Sequence, residues 1–566
     1  MIDKRLLKIA SNTKFYGLKN NYTYKTNLKN SICGDKISIE ISLKKNIIQE
    51  LRYETEACIF CQASASALAD IAKNKSLSQI INYRKEKLSK LREMGFEPYP
   101  HKYDRTHSST EILNNFENLE DKDVSISGRV MALRKMGKAS FIHIMDAFGQ
   151  IQVFIKKDTV GEKVYEAFKL IDIGDFLGIS GLVFKTKTQE ISINTRQFTI
   201  LSKSIRPLPI VKEKEGQVFD AFKDKELRYR NRHLDLIVNP ETRDVFRKRT
   251  QIISDIRSTL DSKQFLEVET PVLQPIYGGA NARPFTTHHN TLGQKLFLRI
   301  ADELYLKRLI IGGYEKVYEI AKDFRNEGMD RSHNPEFTML EFYWAYADYN
   351  DCMILVEEII RSAAKKVGKL TIKWGEIDID LSKKFECKTF YGLLNEATGK
   401  DISLLDDNDL FDVCKNQNLE IDKNANTGQM LDSLMSTLIE PKLINPTFVI
   451  DYPKSISPLA KLKRDGSQNI VERFELFIGG SEFANSFTEL NDPLDQRERL
   501  EAQALLREKG DEEAQPIDED FIRAMEVGMP PTGGVGIGID RLVMLLTNNR
   551  WIRDVILFPT MKPEKN

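Results

Sequence analysis

Residues 316–347 read KVYEIAKDFRNEGMDRSHNPEFTMLEFYWAYA, a pattern that predicts two β-strands joined by a charged loop. In the second strand the period-two rule places Phe337, Glu341 and Tyr343 on one face. A carboxylate buried there without a partner would be costly, so a cationic ligand is expected at this face. Arg325, just before the loop, can hold a phosphate or carboxylate through two parallel hydrogen bonds. The alternative is a structural arginine–glutamate pair at the neck of a hairpin.

The loop and its flanks resemble the second signature motif of class II aminoacyl-tRNA synthetases, in the form found in lysyl-tRNA synthetases. The resemblance is carried by FRNEG at 324–328 and HNPEFTMLEFYWAYADY at 333–349. A glycine-rich strand that enters a helix, GGVGIGIDRLVMLL at 533–546, is similar to the third motif. Together these resemblances cover about residues 79 to 560. They imply an α+β fold in which an OB-fold β-barrel precedes an antiparallel-sheet catalytic domain.

The length of 566 residues predicts roughly three or four domains. Lys plus Arg and Asp plus Glu both number 83, so any contact with nucleic acid needs a local basic surface. The sequence shows no apolar run of about eighteen residues and no signal peptide, which predicts a cytoplasmic protein without a membrane segment. The expected divisions are a NifU-like segment at 1–76, a basic helical extension at 77–123, the OB-fold at 124–206, a hinge at 207–238, and the catalytic domain at 239–566 with a helical insertion at about 350–446.

The first 76 residues contain half of the six cysteines of the chain. Cys33 and Asp35 precede an alternating strand, and Cys58 precedes a helix rich in small residues. Thiolates and a carboxylate in these places are suitable ligands for zinc or an iron–sulfur cluster. The segment resembles a small α+β part of the NifU-like scaffold family, with these three residues at its ligand positions. The further cysteine of that family is missing before Cys352, so we expect a vestigial site that binds metal weakly or not at all, or simply reduced thiols.

A basic amphipathic helix is predicted at 78–94, with Arg84, Lys85, Lys87, Lys90 and Arg92 exposed to solvent or to tRNA phosphates. After it, five alternating strands between Val124 and Lys203 predict a small closed barrel. This span is basic, with 12 Lys plus Arg against 7 Asp plus Glu.

The barrel region is similar to the anticodon-binding domain of lysyl-tRNA synthetases. That resemblance assigns Phe141 and Gln152 to the central anticodon base, because a ring can stack on a splayed base and an amide can read its edge. Either residue could equally belong to the core or the plain surface of a barrel.

The segment QFLEVETPVLQP at 264–275 predicts a strand that Pro271 ends, and it resembles the first class II motif, which implies a homodimer. The catalytic residues implied by the family are Arg325 and Arg541. ATP is expected at Arg325, Glu327, His333, Asn334, Phe337 and Arg541. Lysine is expected at Gly279, Glu303, Glu341, Tyr343, Asn485, Phe487 and Glu489.

A metal site is predicted near a hairpin turn at Gly479 and Gly480, which places Glu475 and Glu482 on one face. Two such carboxylates suit Mg²⁺ beside substrate phosphates. Period-two alternation places Asn485, Phe487 and Glu489 on the opposite face of the strand from Glu482. These residues can therefore share a cavity with Glu482 only if a bulge lies near Phe483 or Ala484.

The activity that the resemblance implies is ligation of lysine to tRNA(Lys) with ATP. Three other functions are weighed against it. A ligase that lysylates a protein would lack the barrel, and an aspartyl or asparaginyl ligase is disfavoured by the pair Glu341 and Glu489. A non-enzymatic RNA-binding or scaffold protein would have no use for Arg325, Arg541 and the carboxylates together.

Overall fold

The computed structural model describes residues 16–19, 22, 24–29, 36–44, 47–56, 77–209, 212–214, 217–219, 222–422, 425–508 and 513–564. The chain divides into two compact units, and the boundary in the sequence falls between Asp224 and Lys225. Helices and mostly antiparallel sheets confirm the predicted α+β class. Cys33, Asp35 and Cys58 lie outside the described residues. Within those residues, no helix is long and apolar enough to cross a membrane.

The first unit begins with an antiparallel sheet in the order β1-β2-β3. Its strands are β1 (Tyr24–Lys29), β2 (Lys36–Lys44) and β3 (Ile47–Glu56). Period-two alternation buries Ile39, Leu51 and Tyr53 in this sheet. The Arg52 guanidinium ties β3 to the preceding chain, because its Nε donates to the carbonyl of Gly17 at 2.6 Å.

The predicted barrel is confirmed as a closed five-stranded sheet in the order β4-β5-β6-β8-β7. Its strands are β4 (Asp123–Met136), β5 (Ala139–Met145), β6 (Gln150–Lys156), β7 (Phe176–Lys185) and β8 (Ile191–Ser202). The helices of this unit are α1 (Leu77–Glu93), α2 (Ser109–Asn114), α3 (Phe116–Leu119), α4 (Lys157–Val160) and α5 (Glu162–Lys169), and a short hairpin follows, β9 (Lys212–Lys214) and β10 (Gln217–Phe219). Alternate residues such as Ile142 and Val153 fill the barrel core.

Helix α1 was predicted to expose all of its cationic side chains, and this is wrong for Arg84 and Lys87. The buried Arg84 guanidinium donates to the carbonyls of Ser204 at 3.0 Å and Ile173 at 3.1 Å. The Lys87 ammonium donates to Asp172 at 2.6 Å. These cations therefore attach the helix to the barrel, since free carbonyls and a carboxylate satisfy them there.

The second unit is built on an eight-stranded sheet in the order β11-β15-β16-β23-β22-β21-β20-β19. The strands are β11 (Leu266–Glu267), β15 (Lys316–Phe324), β16 (Glu336–Ala345), β19 (Glu386–Thr389), β20 (Thr447–Pro453), β21 (Ile470–Ile478), β22 (Ser481–Thr488) and β23 (Thr532–Gly538). Smaller sheets contain β12 (Leu273–Gln274), β13 (Thr286–His289) and β14 (Gln294–Leu298), and β17 (Thr371–Trp374) with β18 (Ile377–Asp380). The strand predicted at 264–275 is present only as the short β11 and β12, on either side of Pro271.

The helices of this unit pack on both faces of the large sheet. They are α6 (Lys225–Arg230), α7 (Arg232–Val238), α8 (Pro240–Ser262), α9 (Glu303–Ile311), α10 (Tyr349–Lys366), α11 (Phe390–Thr398), α12 (Asp407–Asn416), α13 (Thr427–Leu434), α14 (Pro493–Glu508), α15 (Glu519–Glu526), α16 (Ile539–Leu546) and α17 (Ile552–Val555). In β16, Leu340 and Phe342 pack into the core with Ile256 of α8 and Val356 of α10. The alternate residues of the same strand face away from this core.

Two predicted segments differ from the structure. Residues 225–238 of the predicted hinge form α6 and α7 of the second unit, where the buried Arg232 donates to the carbonyls of Leu557 at 2.9 Å and Arg553 at 2.8 Å. The predicted helical insertion at about 350–446 contains the strands β17, β18 and β19, and its first helix, α10, belongs to the main core. Partners far away in the sequence fix both segments, and local composition does not encode such partners.

Candidate active site

A cavity of about 420 Å³ opens on the sheet face opposite the core formed with α8 and α10. Strands β16, β21, β22 and β23 contribute to its walls. The residues predicted to bind lysine, ATP or Mg²⁺ all line this one cavity: Gly279, Glu303, Arg325, Glu327, His333, Asn334, Phe337, Glu341, Tyr343, Glu475, Glu482, Asn485, Phe487, Glu489 and Arg541. The pairing of these strands, together with the alternation of side chains along each of them, brings residues that are distant in the sequence to one place.

One end of the cavity is acidic. Glu303 begins α9, Glu341 lies on β16, and Glu489 directly follows β22, and all three carboxylates are buried. The Tyr343 hydroxyl donates to Glu341 at 3.2 Å. Gly534 makes room for this group, because a Cβ at that position would lie 2.1 Å from Oε1 of Glu489. Burial raises the pKa of Glu489 to about 8, although a neighbouring lysine opposes the shift.

That neighbour is Lys307, one helical turn after Glu303 on α9. Its side chain is fully buried, and its ammonium forms ion pairs with both Glu303 and Glu489. Burial opposes the charge of this ammonium, but the two carboxylates hold its pKa above the usual value. Lys307 is therefore charged and joins the two acidic side chains.

A second acidic group lies behind Glu341. Carboxylate oxygens of Asp302, Asp323 and Glu341 lie within 4.8 Å of one another, and Arg299 Nη1 is 3.1 Å from Asp302. Burial, together with Asp323 and Glu341, raises the pKa of Asp302 to about 10. Burial also raises the pKa of Asp323 to about 6. One arginine does not neutralise the group, so Asp302 keeps its proton at neutral pH.

The change Asp302→Asn is expected to stabilise the protein in alkaline solution. Because the folded state holds a proton that the unfolded state loses above pH 4, the free energy of unfolding of the wild type falls as pH rises towards 10. Asparagine has no proton to lose. Thermal denaturation should give a higher Tm for the variant at pH 8.5, and a smaller difference at pH 5. An equal or lower Tm at pH 8.5 would show that Asp302 is ionised.

The other end of the cavity is cationic. Arg325 lies over the ring of Phe337 at 5.1 Å, and its buried Nε has no hydrogen-bond partner within the described residues. Arg541 Nη1 donates to the Glu482 carbonyl at 2.8 Å, and its Nη2 is 3.2 Å from Nε2 of His333. These guanidiniums, with an aromatic face beside them, can hold a polyanion that carries a flat ring.

The predicted bulge is present between β21 and β22. Leu476 pairs with Ala484 and Phe477 with Glu482, so Phe483 is the extra residue. Glu475, Glu482 and Asn485 consequently reach the same cavity.

Arg473 on β21 organises this corner of the cavity. Its Nη2 pairs with Glu475, and its Nε donates to Oδ1 of Asn485 at 3.2 Å. The guanidinium also lies over the ring of Tyr452, 4.5 Å from the centroid, and the Tyr452 hydroxyl donates to Glu475 at 2.9 Å. Glu475 is therefore held from two sides.

Comparison with known families and proteins agrees with this geometry. Residues 224–562 match the family described as tRNA synthetases class II (D, K and N). The chain belongs to the class II tRNA synthetases. Residues 124–201 of the synthetase match an OB-fold nucleic acid binding domain, and residues 3–112 match a NifU-like N terminal domain.

Individual proteins are similar to the synthetase over most of its length. It is 51% identical to the lysine–tRNA ligase of Carboxydothermus hydrogenoformans over 492 residues, which cover 87% of this chain and 99% of that protein. It is 50% identical to the lysine–tRNA ligases of Pelotomaculum thermopropionicum, over 87% of this chain and 97% of that protein, and of Porphyromonas gingivalis, over 85% of each.

In the barrel of the synthetase, Phe141 and Gln152 lie on the adjacent strands β5 and β6. The Phe141 ring is half-buried and packs on Phe154, with 4.8 Å between centroids. The Gln152 amide donates to Glu190 at 2.6 Å and accepts from Ser192 at 2.9 Å. Both residues alternate with core residues and so point away from the barrel core, and Gln152 is itself buried there among its hydrogen-bond partners.

The sequence interpretation missed three residues of the synthetase: Asp302, Lys307 and Arg473. Only Lys307 had a local signal, because a glutamate and a lysine four positions apart on a helix lie on the same face. Arg473 shares a strand with Glu475 at period two, but its contacts with Asn485 depend on strand pairing. The proximity of Asp302 to Asp323 depends on the packing of α9 against β15 and β16 and has no local signal.

Proposed function

We propose that this protein is a lysine–tRNA ligase, which activates lysine with ATP to lysyl-adenylate and transfers it to the 3′ end of tRNA(Lys). The observation that carries the proposal is the polarity of a single cavity. Three buried carboxylates lie at one end, and two arginines beside an aromatic ring lie at the other. Such a cavity accepts a dication next to a polyanion. The similarity to lysine–tRNA ligases supports the same activity.

In the first step the lysine carboxylate attacks the α-phosphate of ATP, and pyrophosphate leaves. Arg325 holds the α-phosphate and the carboxylate, since its Nε is buried and unsatisfied within the described residues. Arg473 donates to Oδ1 of Asn485, so the amide nitrogen of Asn485 is free to donate to the substrate carboxylate. Catalysis is mostly positioning and charge neutralisation, and no covalent enzyme nucleophile is required.

ATP occupies the cationic end. Phe337 stacks on the adenine, and Arg541 binds the γ-phosphate. Glu327, His333 and Asn334 line the nucleotide side of the cavity. In the second step the terminal ribose hydroxyl of tRNA takes the activated acyl group and AMP leaves.

Glu475 and Glu482 suit Mg²⁺, because two carboxylates lie beside the expected position of the phosphates and Mg²⁺ prefers that donor set. When bound, the ion neutralises phosphate charge. Arg473 and Tyr452 hold Glu475 in place, and Arg541 lies 3.2 Å from Glu482.

The selectivity for lysine follows from charge. Glu341, Tyr343 and Glu489 surround the ε-ammonium, while Glu303 and the backbone of Gly279 receive the α-ammonium; Phe487 lines the cavity beside them. An uncharged analogue would leave buried carboxylate charge that the single ammonium of Lys307 does not balance, and such sites reject analogues by roughly 10⁴-fold.

Lysine binding should strengthen as pH rises from 6.5 to 8.5. Burial raises the pKa of Glu489 to about 8 and that of Glu341 above its usual value, so the empty pocket holds protons that a bound ammonium expels. The Kd for lysine should fall by up to about tenfold per pH unit below these pKa values. Calorimetry in buffers of different ionisation enthalpy measures the released proton, and ATP binding over the same range is the control. A pH-independent Kd would mean that the pocket is already ionised.

The outer surface of the barrel is proposed to contact tRNA, with Phe141 and Gln152 at the central anticodon base. The domain boundaries given above, apart from the hinge and the helical insertion, are proposed on the strength of the family, as are a homodimer and a cytoplasmic location. Iron–sulfur or zinc binding at Cys33, Asp35 and Cys58 remains a separate proposal of weak affinity. Metal analysis after anaerobic purification tests it, and absence of zinc and iron would end it.

The decisive experiment is exchange between ATP and pyrophosphate with each of the twenty amino acids in turn. Exchange with lysine alone is expected, followed by lysylation of tRNA(Lys). Exchange with aspartate or asparagine, or with no amino acid, would overturn the proposal.

A further inference from the structure

Lys307 presents an unusual problem, because a fully buried cation occupies the back of the site proposed for a cationic substrate. Its ammonium is paired with Glu303 and Glu489, the carboxylates assigned to opposite ends of lysine. A buried lysine without partners would lose its charge, but here two carboxylates maintain it. Lys307 does not line the cavity itself, so it acts on substrate through these carboxylates.

The charges around this ammonium can be named. They are Glu303 on α9, Glu341 and Tyr343 on β16, Glu489 after β22 and Arg473 on β21. Tyr343 remains protonated, since burial raises its pKa, and Arg473 is paired with Glu475. Asp302 and Asp323 lie behind Glu341 and contact Arg299. The substrate end therefore has three carboxylates and one ammonium.

We propose that Lys307 is a positioning residue that determines specificity: it cancels one of three carboxylate charges and holds in place Glu303 and Glu489, which are assigned to the two ammonium groups of lysine. This inference rests on the proposed function and deepens it. Three ionised carboxylates alone would carry one more negative charge than the two ammonium groups of lysine can balance. With Lys307 included, the pocket has a charge of minus two once all three carboxylates are ionised, as they are when lysine is bound, and this charge matches a substrate with two ammonium groups.

The change Lys307→Met tests this role, because methionine keeps the length of the side chain and removes the charge. Glu303 and Glu489 would then repel each other, and one of them would take up a proton. Lysine would have to expel that proton, and the freed carboxylates would move. We expect the Kd for lysine to rise by about 30-fold or more. Calorimetry at pH 7.5 in phosphate and Tris should show about one more proton released per lysine than in the wild type.

The matched control is Arg308→Met, which removes a cation from the next position of α9. Arg308 pairs with Asp518, away from the acidic end of the cavity. The Kd of the Arg308→Met variant for lysine, and the number of protons that it releases on binding lysine, should equal those of the wild type. ATP binding and circular dichroism check that both variants are folded.

A second variant covers the case in which Lys307→Met does not fold. The double change Lys307→Met with Glu303→Gln removes the charge of both partners, so the pocket returns to minus two. Its proton release should return to the wild-type value, even if lysine binds more weakly.

Two results would overturn the inference. One is a Lys307→Met protein that binds lysine within about threefold of the wild type with unchanged proton release. The other concerns the double variant. If the single variant folds, the inference fails when the double variant releases as many protons as the single variant. If the single variant does not fold, the inference fails when the double variant releases more protons than the wild type. The proposed function is tested separately, because wild-type exchange with lysine does not depend on the outcome at Lys307.

Discussion

Glu489→Gln should abolish lysine activation while leaving ATP binding intact. The substitution keeps the shape of the side chain but removes a buried negative charge that faces the proposed ε-ammonium. Lys307 would also lose one of its two partners. We expect kcat/KM for lysine in pyrophosphate exchange to fall by at least about 10³-fold, since an unpaired buried charge costs several kcal/mol.

The matched control for this change is Glu396→Gln, an exposed position on α11. It should leave exchange unchanged. Near-normal exchange by Glu489→Gln at modest lysine concentration would remove Glu489 from the substrate site. Thermal denaturation separates this result from loss of folding.

Arg325→Lys is the second change with a large expected effect. Arginine presents a planar fork that holds the α-phosphate and the carboxylate together, whereas lysine has a single point charge. The buried Nε, which has no hydrogen-bond partner among the residues that the structure describes, would be lost. Pyrophosphate exchange should fall by about 10²-fold to 10³-fold in kcat, as for the loss of one preorganised donor at a transition state.

Arg331→Lys is the control on the same loop. Arg331 is exposed and lies 4.9 Å from the ring of Trp551, outside the cavity lining. Its exchange rate should stay within about threefold of the wild type. If Arg325→Lys retained full activity, a single positive charge would be sufficient, and the proposed contact of the guanidinium with both the α-phosphate and the carboxylate would be wrong.

Local periodicity predicted the parts of the fold in which one strand faces two different environments. In β16, the alternation places Leu340 and Phe342 in the core and leaves Glu341 and Tyr343 facing the cavity. The bulge at Phe483 was also predictable, because Glu475 and Asn485 could not otherwise share a cavity. Side-chain chemistry alone imposes that constraint.

Features that depend on distant partners could not be predicted in this way. Arg84 and Lys87 have the pattern of a solvated face, yet carbonyls and a carboxylate of the barrel bind them. Helices α6 and α7 have the composition of a linker, yet Arg232 binds carbonyls 321 and 325 positions later. The resemblance to a family named the residues that are proposed to touch substrate. It did not name Lys307, which acts from behind them.

The glycine-rich strand β23 limits attempts to change the amino acid that this enzyme uses. At Gly534 the nearest neighbours of a hypothetical Cβ are Glu489 and Tyr343, so the floor of the pocket is already bare backbone. Protein engineers usually enlarge a pocket by truncating a side chain, and here no atoms are left to remove. A bulkier amino acid would have to gain its space from Tyr343 or Phe487 instead, and the removal of Tyr343 would also remove the donor to Glu341. Broader substrate range and recognition of the terminal amine are therefore linked in this fold.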